Sequence, residues 1–309
     1  MALTDGIVSY WKFDESSGNA ADSVGSNTLL NSSVSYAPGL IGNEAVFSGS
    51  AYFRIPNGSI SGLAFSGSFT FNFWLELSSQ PSTDTSFLLF AKNLTTGNQR
   101  QYVVAYVDSS GTKSLRFTVS GDGSNNTSVI YTGTLATNTR YMVTVVFTSS
   151  SKMEIFLNAS SVASNTSSIP SSAYAGSADF YLSSNEGVNS FIAGAVDEKG
   201  AWSRALSTGE LSDLYNGGLG LQYPFIPPVS YAISGTVTLS GVPVEGAIVR
   251  CIRQSDNFAL PDVETDSSGN YIFEELDEEE LYHIAVEYTS GDLKYNAKSL
   301  WDVAPVEVE

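Results

Sequence analysis

Few residues in this chain are equipped for chemistry. His283 is the single histidine and Cys251 the single cysteine of 309 residues. A Ser-His-Asp triad needs a histidine beside its nucleophile, and nothing before residue 283 supplies one. One Cys and one His cannot make a four-ligand zinc shell. No G-x-x-x-x-G-K-[ST] or G-x-G-x-x-G phosphate loop occurs. The string Glu275-Leu-Asp277-Glu-Glu-Glu280 fits the letters E-x-D-x-x-E of a nucleophile and acid/base carboxylate pair. It lies within a run of six acids in seven residues, and such a run reads as a solvated turn. Oxygen donors for a hard cation are better spaced. Asp22, Gly25 and Asn27 can offer three oxygens from one loop, and Asp197 offers a further carboxylate. The same residues also suit plain turns, with Asp197 capping or pairing locally.

The elements that would position these residues are strands. Apolar segments recur between clusters of Gly, Ser, Asn and Asp. Gly6–Phe13, Glu44–Phe47, Ala51–Ile55 and Ser68–Leu77 open the series. Within the last, Phe69, Phe71, Phe73, Leu75 and Leu77 share one face at strict period 2, and Glu76 is its only acid. Phe87–Lys92, Gln101–Asp108, Ser114–Ser120, Arg140–Thr148, Lys152–Leu157, Ala178–Leu182 and Phe191–Trp202 continue it. The Ser/Asn-rich stretch 158–177 reads as a long surface loop or a weak edge strand. One helix is expected, with Ser207 as N-cap, Glu210 closing a capping box, and Leu211, Leu214 and Tyr215 on one face. Gly217-Gly218 stops it.

Three prolines in Gln222-Tyr-Pro-Phe-Ile-Pro-Pro-Val229 mark a stiff linker over 223–228. A second β pattern follows over 229–309, with a fifth strand expected at Tyr295–Leu300. Charge divides unevenly between the parts. The chain holds 32 acids and 14 bases, net −18. Residues 223–309 carry 16 of those acids and 4 of the bases. So acidic a chain is a poor nucleic-acid ligand, because phosphate contacts need Lys and Arg. An anionic membrane surface is disfavoured for the same reason. No apolar run is long enough to span a bilayer, so no membrane insertion is expected. The start Met1-Ala-Leu-Thr-Asp-Gly lacks the basic and apolar regions of a signal peptide.

The segment Gly6-Ile-Val-Ser-Tyr-Trp-Lys-Phe-Asp-Glu-Ser-Ser-Gly18 with Asp22–Asn27, and the segment Ala195-Val-Asp-Glu-Lys-Gly-Ala-Trp-Ser-Arg-Ala-Leu-Ser through Gly217, together resemble the laminin-G-like, concanavalin A-like jelly roll. Ile233-Ser-Gly-Thr-Val, Pro243-Val-Glu-Gly-Ala-Ile-Val and Thr265-Asp-Ser-Ser-Gly-Asn-Tyr-Ile-Phe resemble the carboxypeptidase-regulatory-like, transthyretin-like sandwich. These resemblances imply an all-β chain: a jelly-roll sandwich over 1–222 and a small transthyretin/Ig-like sandwich over 229–309. The first implies a structural Ca2+ among Asp22, Gly25, Asn27 and Asp197. Modules in this order resemble those of tailed-bacteriophage virion proteins. That implies a non-enzymatic tail or head-decoration component, made in the host cytoplasm and carried on the extracellular particle. Its partners would be other virion proteins, in a homo-oligomer or multicopy array, and host cell-surface polysaccharide. A cellular adhesin and a glycan-cleaving enzyme are the rival readings. Trp11, Trp74 and Trp202 are expected in the core, leaving Tyr102, Tyr106, Tyr131 and Tyr174 as looser candidates for stacking on sugar rings.

Overall fold

Alternating apolar residues assemble into two stacked antiparallel sheets in the first part of the chain. The computed structural model describes residues 2–225, 230–274, 276–277, 279–290, 293–296 and 299–308. The chain divides into two compact units, Met1–Ile226 and Pro227–Glu309. In the first unit, one sheet runs in the order Ser160–Asn165, Lys152–Leu157, Arg140–Thr148, Phe69–Leu77, Ala193–Trp202, Asn43–Ser48 and Ser35–Pro38. Ile7–Trp11 completes its eight strands by pairing with Ala193–Trp202. The seven-stranded sheet runs Thr127–Thr132, Thr112–Val119, Tyr102–Ser109, Ser86–Lys92, Phe180–Leu182, Tyr52–Ile55 and Leu30–Ser32. This is the expected all-β jelly roll.

Phe69, Phe71, Phe73, Leu75 and Leu77 all enter the layer between the sheets, where Trp11, Phe90, Tyr102, Phe117 and Phe180 meet them. Each fully buried aromatic or aliphatic side chain stabilises the fold by about 1.5–3 kcal/mol. The reverse face of the strand Phe69–Leu77 is buried as well. Thr70 Oγ1 donates to the Arg204 carbonyl at 2.8 Å and Asn72 Nδ2 to Thr144 Oγ1 at 2.7 Å. Trp74 joins Tyr10, Met142, Val146, Phe156 and Trp202 in a second apolar cluster, which Leu206, Leu211, Leu214 and Phe225 cover. The covering helix is Thr208–Tyr215. Its capping box forms as expected, with Ser207 Oγ accepting from Glu210 N and the Glu210 carboxylate accepting from Ser207 N. Arg204 clamps the same carboxylate. Left-handed Asn216 is the C-cap. The centre of the outer face of the eight-stranded sheet is therefore covered by the chain's own residues.

The second unit has a three-stranded sheet, Asn270–Phe273, Ser230–Thr236 and Val306–Val308. Its larger sheet runs Val263–Glu264, Ile248–Arg253, Tyr282–Ser290 and Leu293–Asn296, with Leu300–Val303 also on Tyr282–Ser290. Ile233, Val249, Cys251, Phe273, Leu276, Tyr282 and Ile284 form its core. The strand expected at 295–300 is two strands, Leu293–Asn296 and Leu300–Val303, and residues 297 and 298 lie outside the described residues. So do residues 226–228 of the expected linker, and Glu275 and Glu278 of the acidic string. Burial pushes the Cys251 thiol up to about 11, so it is not a thiolate nucleophile. Among the described residues, no helix is long and apolar enough to cross a membrane.

Candidate functional site

The turn Asp22–Asn27 is a hydrogen-bond hub. Asp22 Oδ1 accepts from the backbone N–H groups of Tyr10 (3.0 Å) and Val24 (3.1 Å), and Oδ2 accepts from Asn27 N at 3.0 Å. Gly25 is required by closeness, since a Cβ there would sit 2.8 Å from both Asp22 Oδ2 and the Val8 carbonyl. Asn27 is fully buried. Its Nδ2 donates to Ser9 Oγ and the Ser61 carbonyl, both at 2.7 Å, while Oδ1 accepts from Ser61 N at 2.8 Å. Asp197 works elsewhere. Its Oδ2 accepts from Leu40 N (3.0 Å) and Ile41 N (3.4 Å), and Oδ1 from Glu198 N (2.9 Å). The structure thus brings Asp22, Gly25 and Asn27 together in one turn and sets Asp197 in the strand Ala193–Trp202. The donor set does not fit a shared calcium shell, because backbone N–H groups engage both carboxylates and Asn27 faces Ser9 and Ser61. EDTA is expected to leave the melting temperature unchanged. A fall that Ca2+ reverses would contradict this account.

Asp197 begins a bulge in the strand Ala193–Trp202, where pairing with Phe69–Leu77 slips between Asp197 and Gly200. Glu198 sits at φ 47° and is buried. It accepts from Tyr10 Oη at 2.5 Å and Gln222 Nε2 at 2.6 Å. Burial pushes Asp197 up to about 7, against the opposing hydrogen bonds from Ile41 and Leu40. Burial likewise pushes Glu198 up to about 8, and the charges of Asp197 and Asp14 add to it. Perturbed carboxyls often mark catalytic sites, but these two are each only 1% exposed and brace loops. Their raised folded values give stability that is complete below about pH 4 and is lost as pH rises through 7 to 8. The wild-type melt should therefore fall relative to that of Glu198→Gln between pH 5 and pH 8, a comparison in which the opposite contribution of Lys199, whose pKa is depressed, cancels. A difference between the two that stays constant or reverses over that interval would contradict the assignment.

The seven-stranded sheet presents a different outer face. Register aligns Arg54, Tyr181, Ala91, Val103, Thr118 and Ser128 in one row across six strands. Small side chains make its floor, and aromatic rings gather at one end. Tyr52 lies 6.0 Å from Tyr181 and 6.1 Å from Phe191 between ring centroids. All three rings are half-buried. Gly187, at φ 75°, lets its loop pass close to Tyr52, since a Cβ there would lie 3.1 Å from Tyr52 Oη. Beside Tyr181 is a groove of about 220 Å³ lined by Asn93, Leu94, Ser177, Asp179 and Glu186.

The groove rim is held from beneath. Lys92 is wholly buried and its Nζ donates to Asn57 Oδ1 (3.0 Å) and the Gly176 and Ala178 carbonyls (2.6 and 2.7 Å). Burial pushes this ammonium down to about 8, with Asp179 opposing. Asp179 Oδ2 accepts from Arg54 Nε (2.7 Å) and Nη2 (2.6 Å), and Oδ1 accepts from Asn57 N (2.7 Å). A flat ring beside fixed acceptors suits a polyhydroxyl ligand, whose C–H face stacks while its hydroxyls donate.

The expected stacking residues are placed differently. Tyr102 and Tyr106 are core residues, Tyr102 Oη donating to the Leu63 carbonyl and Tyr106 Oη to Gln80 Oε1. Tyr131 packs against the same core, and the half-buried Tyr174 ring lies against Gly123. Trp11, Trp74 and Trp202 are buried as expected. Tyr52 and Tyr181 were within reach of a parity argument, since each alternates with core Phe53, Phe180 and Leu182.

The two stacked antiparallel sheets make a jelly-roll sandwich. Residues 47–212 match the laminin-G-type family described as the concanavalin A-like lectin/glucanases superfamily. The chain belongs to that family. No curated protein matches it. Among solved structures, it is similar to domain 4 of AbnA, a GH43 extracellular arabinanase from Geobacillus stearothermophilus, in complex with arabinotriose. The identity is 20%, with 67% of this chain and 97% of that one covered and a TM-score of 0.50. It is also similar to the receptor binding domain of botulinum neurotoxin C/D mosaic serotype (12% identity, 95% and 73% covered, TM-score 0.55). A further match is the binding domain of botulinum neurotoxin DC in complex with SialylT (12%, 96% and 74%, TM-score 0.54). At these identities the likeness shows the fold alone.

Proposed function

We propose that this chain is a non-enzymatic bacteriophage virion protein, on the tail or decorating the head, whose jelly roll holds host-surface polysaccharide weakly. The observation that carries the binding half is the Tyr52–Tyr181–Phe191 cluster beside a polar groove. Lectin-family membership and neighbours solved with arabinotriose and SialylT support it. A non-enzymatic role is supported by the engagement of the acids in the central strands of the eight-stranded sheet. Glu76, the one acid of Phe69–Leu77, pairs with Arg140, and Asp197 and Glu198 brace loops. The virion half is supported by the order of the two resemblances, a jelly roll followed by an acidic carboxypeptidase-regulatory-like segment. Weak single sites suffice in a multicopy array, because linked sites multiply affinity.

Immunogold electron microscopy on a lysate containing the protein tests the assignment. Label on phage particles is the expected result, and its position assigns head or tail. Label on cell envelopes with bare particles would overturn it in favour of a cellular adhesin. Release of reducing ends from capsule or cell-wall sugars would overturn the non-enzymatic reading.

A further inference from the structure

We propose that the groove beside Tyr181 selects saccharides that are uncharged or carry a free amine, and turns away those bearing carboxylate, sulfate or phosphate. This rests on the glycan-binding reading above. The argument is an inventory of donors and acceptors. The groove offers the carboxylates of Asp179 and Glu186, the amide of Asn93 and the Tyr181 ring. Two cations lie nearby, and each already faces its own acceptor. Arg54 turns Nε and Nη2 onto one oxygen of Asp179. Lys92 is wholly buried, with three acceptors around its ammonium.

Glu186 has no such neutralising partner among the described residues. It is exposed at φ 56° on the loop that passes Tyr52. Its charge reaches Tyr181, where burial raises the hydroxyl pKa, Arg54 opposes, and Asp179, Tyr52 and Glu186 add to the rise. The site therefore asks for hydrogen-bond donors. Sugar hydroxyls supply them while the ring's C–H face lies on Tyr181. An amine gains an ion pair with Glu186. Asp179 is already ion-paired to Arg54, but an anionic group placed beside Glu186 meets like charge, weakening binding by about fivefold or more.

The test is a printed array of hexose, pentose, amino-sugar, uronate and sulfated oligosaccharides, probed with the full chain displayed in many copies on beads. Wild type, Tyr181→Ala and Glu186→Lys are compared, and an unchanged melt for each variant confirms folding. The wild type should bind neutral or amino-sugar spots and pass over anionic ones. Tyr181→Ala should lose about tenfold or more of that signal, and Glu186→Lys should admit uronate or sulfated spots. Tyr181-dependent binding confined to anionic spots would overturn the selectivity while leaving glycan binding intact. Neutral binding that Tyr181→Ala leaves unchanged would overturn the groove as its location. Binding to no spot would overturn both this proposal and the reading beneath it.

Discussion

Replacing Lys199 with methionine is expected to raise the melting temperature by about 4 to 8 °C. Lys199 is fully buried. Its Nζ lies 3.5 Å from the Phe90 centroid, 4.5 Å from Phe73 and 4.9 Å from Phe71. It has no hydrogen-bond partner. The bulge explains this placement. By slipping the register after Asp197, it sends Glu198 toward Tyr10 and Gln222 and leaves Lys199 between the sheets. Burial drives the amine's pKa well below its ordinary value. An unsatisfied buried polar group costs about 1–3 kcal/mol, and methionine fills similar space without one. For a unit of this size, each kcal/mol moves the melt by about 2–4 °C. The sign with pH follows. A base whose folded pKa is depressed costs most stability at low pH, and the cost fades as pH approaches its unfolded value. The gain from Lys199→Met should therefore widen on acidification. Differential scanning calorimetry checks both points, and a lower melt for the variant would mean the amine is charged and favourably held.

Asn27→Ala should have the opposite effect, lowering the melt by about 4 to 8 °C. The substitution strands Ser9 Oγ, Ser61 N and the Ser61 carbonyl at once. Ser9 Oγ is buried, whereas Ser61 is exposed and can turn to water, so the loss is about 2 kcal/mol, which the same conversion turns into that range. The neighbouring bond from Trp11 Nε1 to the Asn27 carbonyl survives, so the loss isolates the side chain. A melt within 2 °C of wild type, on the order of ±0.5 kcal/mol, would show that the turn relaxes around the gap.

These two residues also mark what was legible in the sequence. Strict alternation in Phe69–Leu77 correctly assigned five side chains to the core. It could not reveal that Thr70 and Asn72 are buried too, because their partners, the Arg204 carbonyl and Thr144, come from far along the chain. The helix was legible from its capping box, a local signal. Leu30–Ser32, Ser35–Pro38 and Thr127–Thr132 were not, because polar strands near sheet margins lack an apolar rhythm. Ser160–Asn165 is the edge-strand alternative for the stretch 158–177. The Asp22–Asn27 letters suit a cation or a hydrogen-bonded turn equally, and only the direction of the surrounding N–H groups separates them. Tyr102 and Tyr106 share parity with Val104 and fall inside. The groove joins Asn93 to Asp179 and Glu186 from a stretch more than 80 residues later, so no local pattern announces it.

Hydrogen–deuterium exchange of the full chain, with and without a mixture of neutral oligosaccharides, most directly tests whether the aromatic outer face of the seven-stranded sheet is the binding surface. The account predicts added protection in 52–55, 93–94 and 177–191, and none in the helix Thr208–Tyr215. Protection centred on that helix, or on Asp22–Asn27 with the groove unchanged, would contradict it.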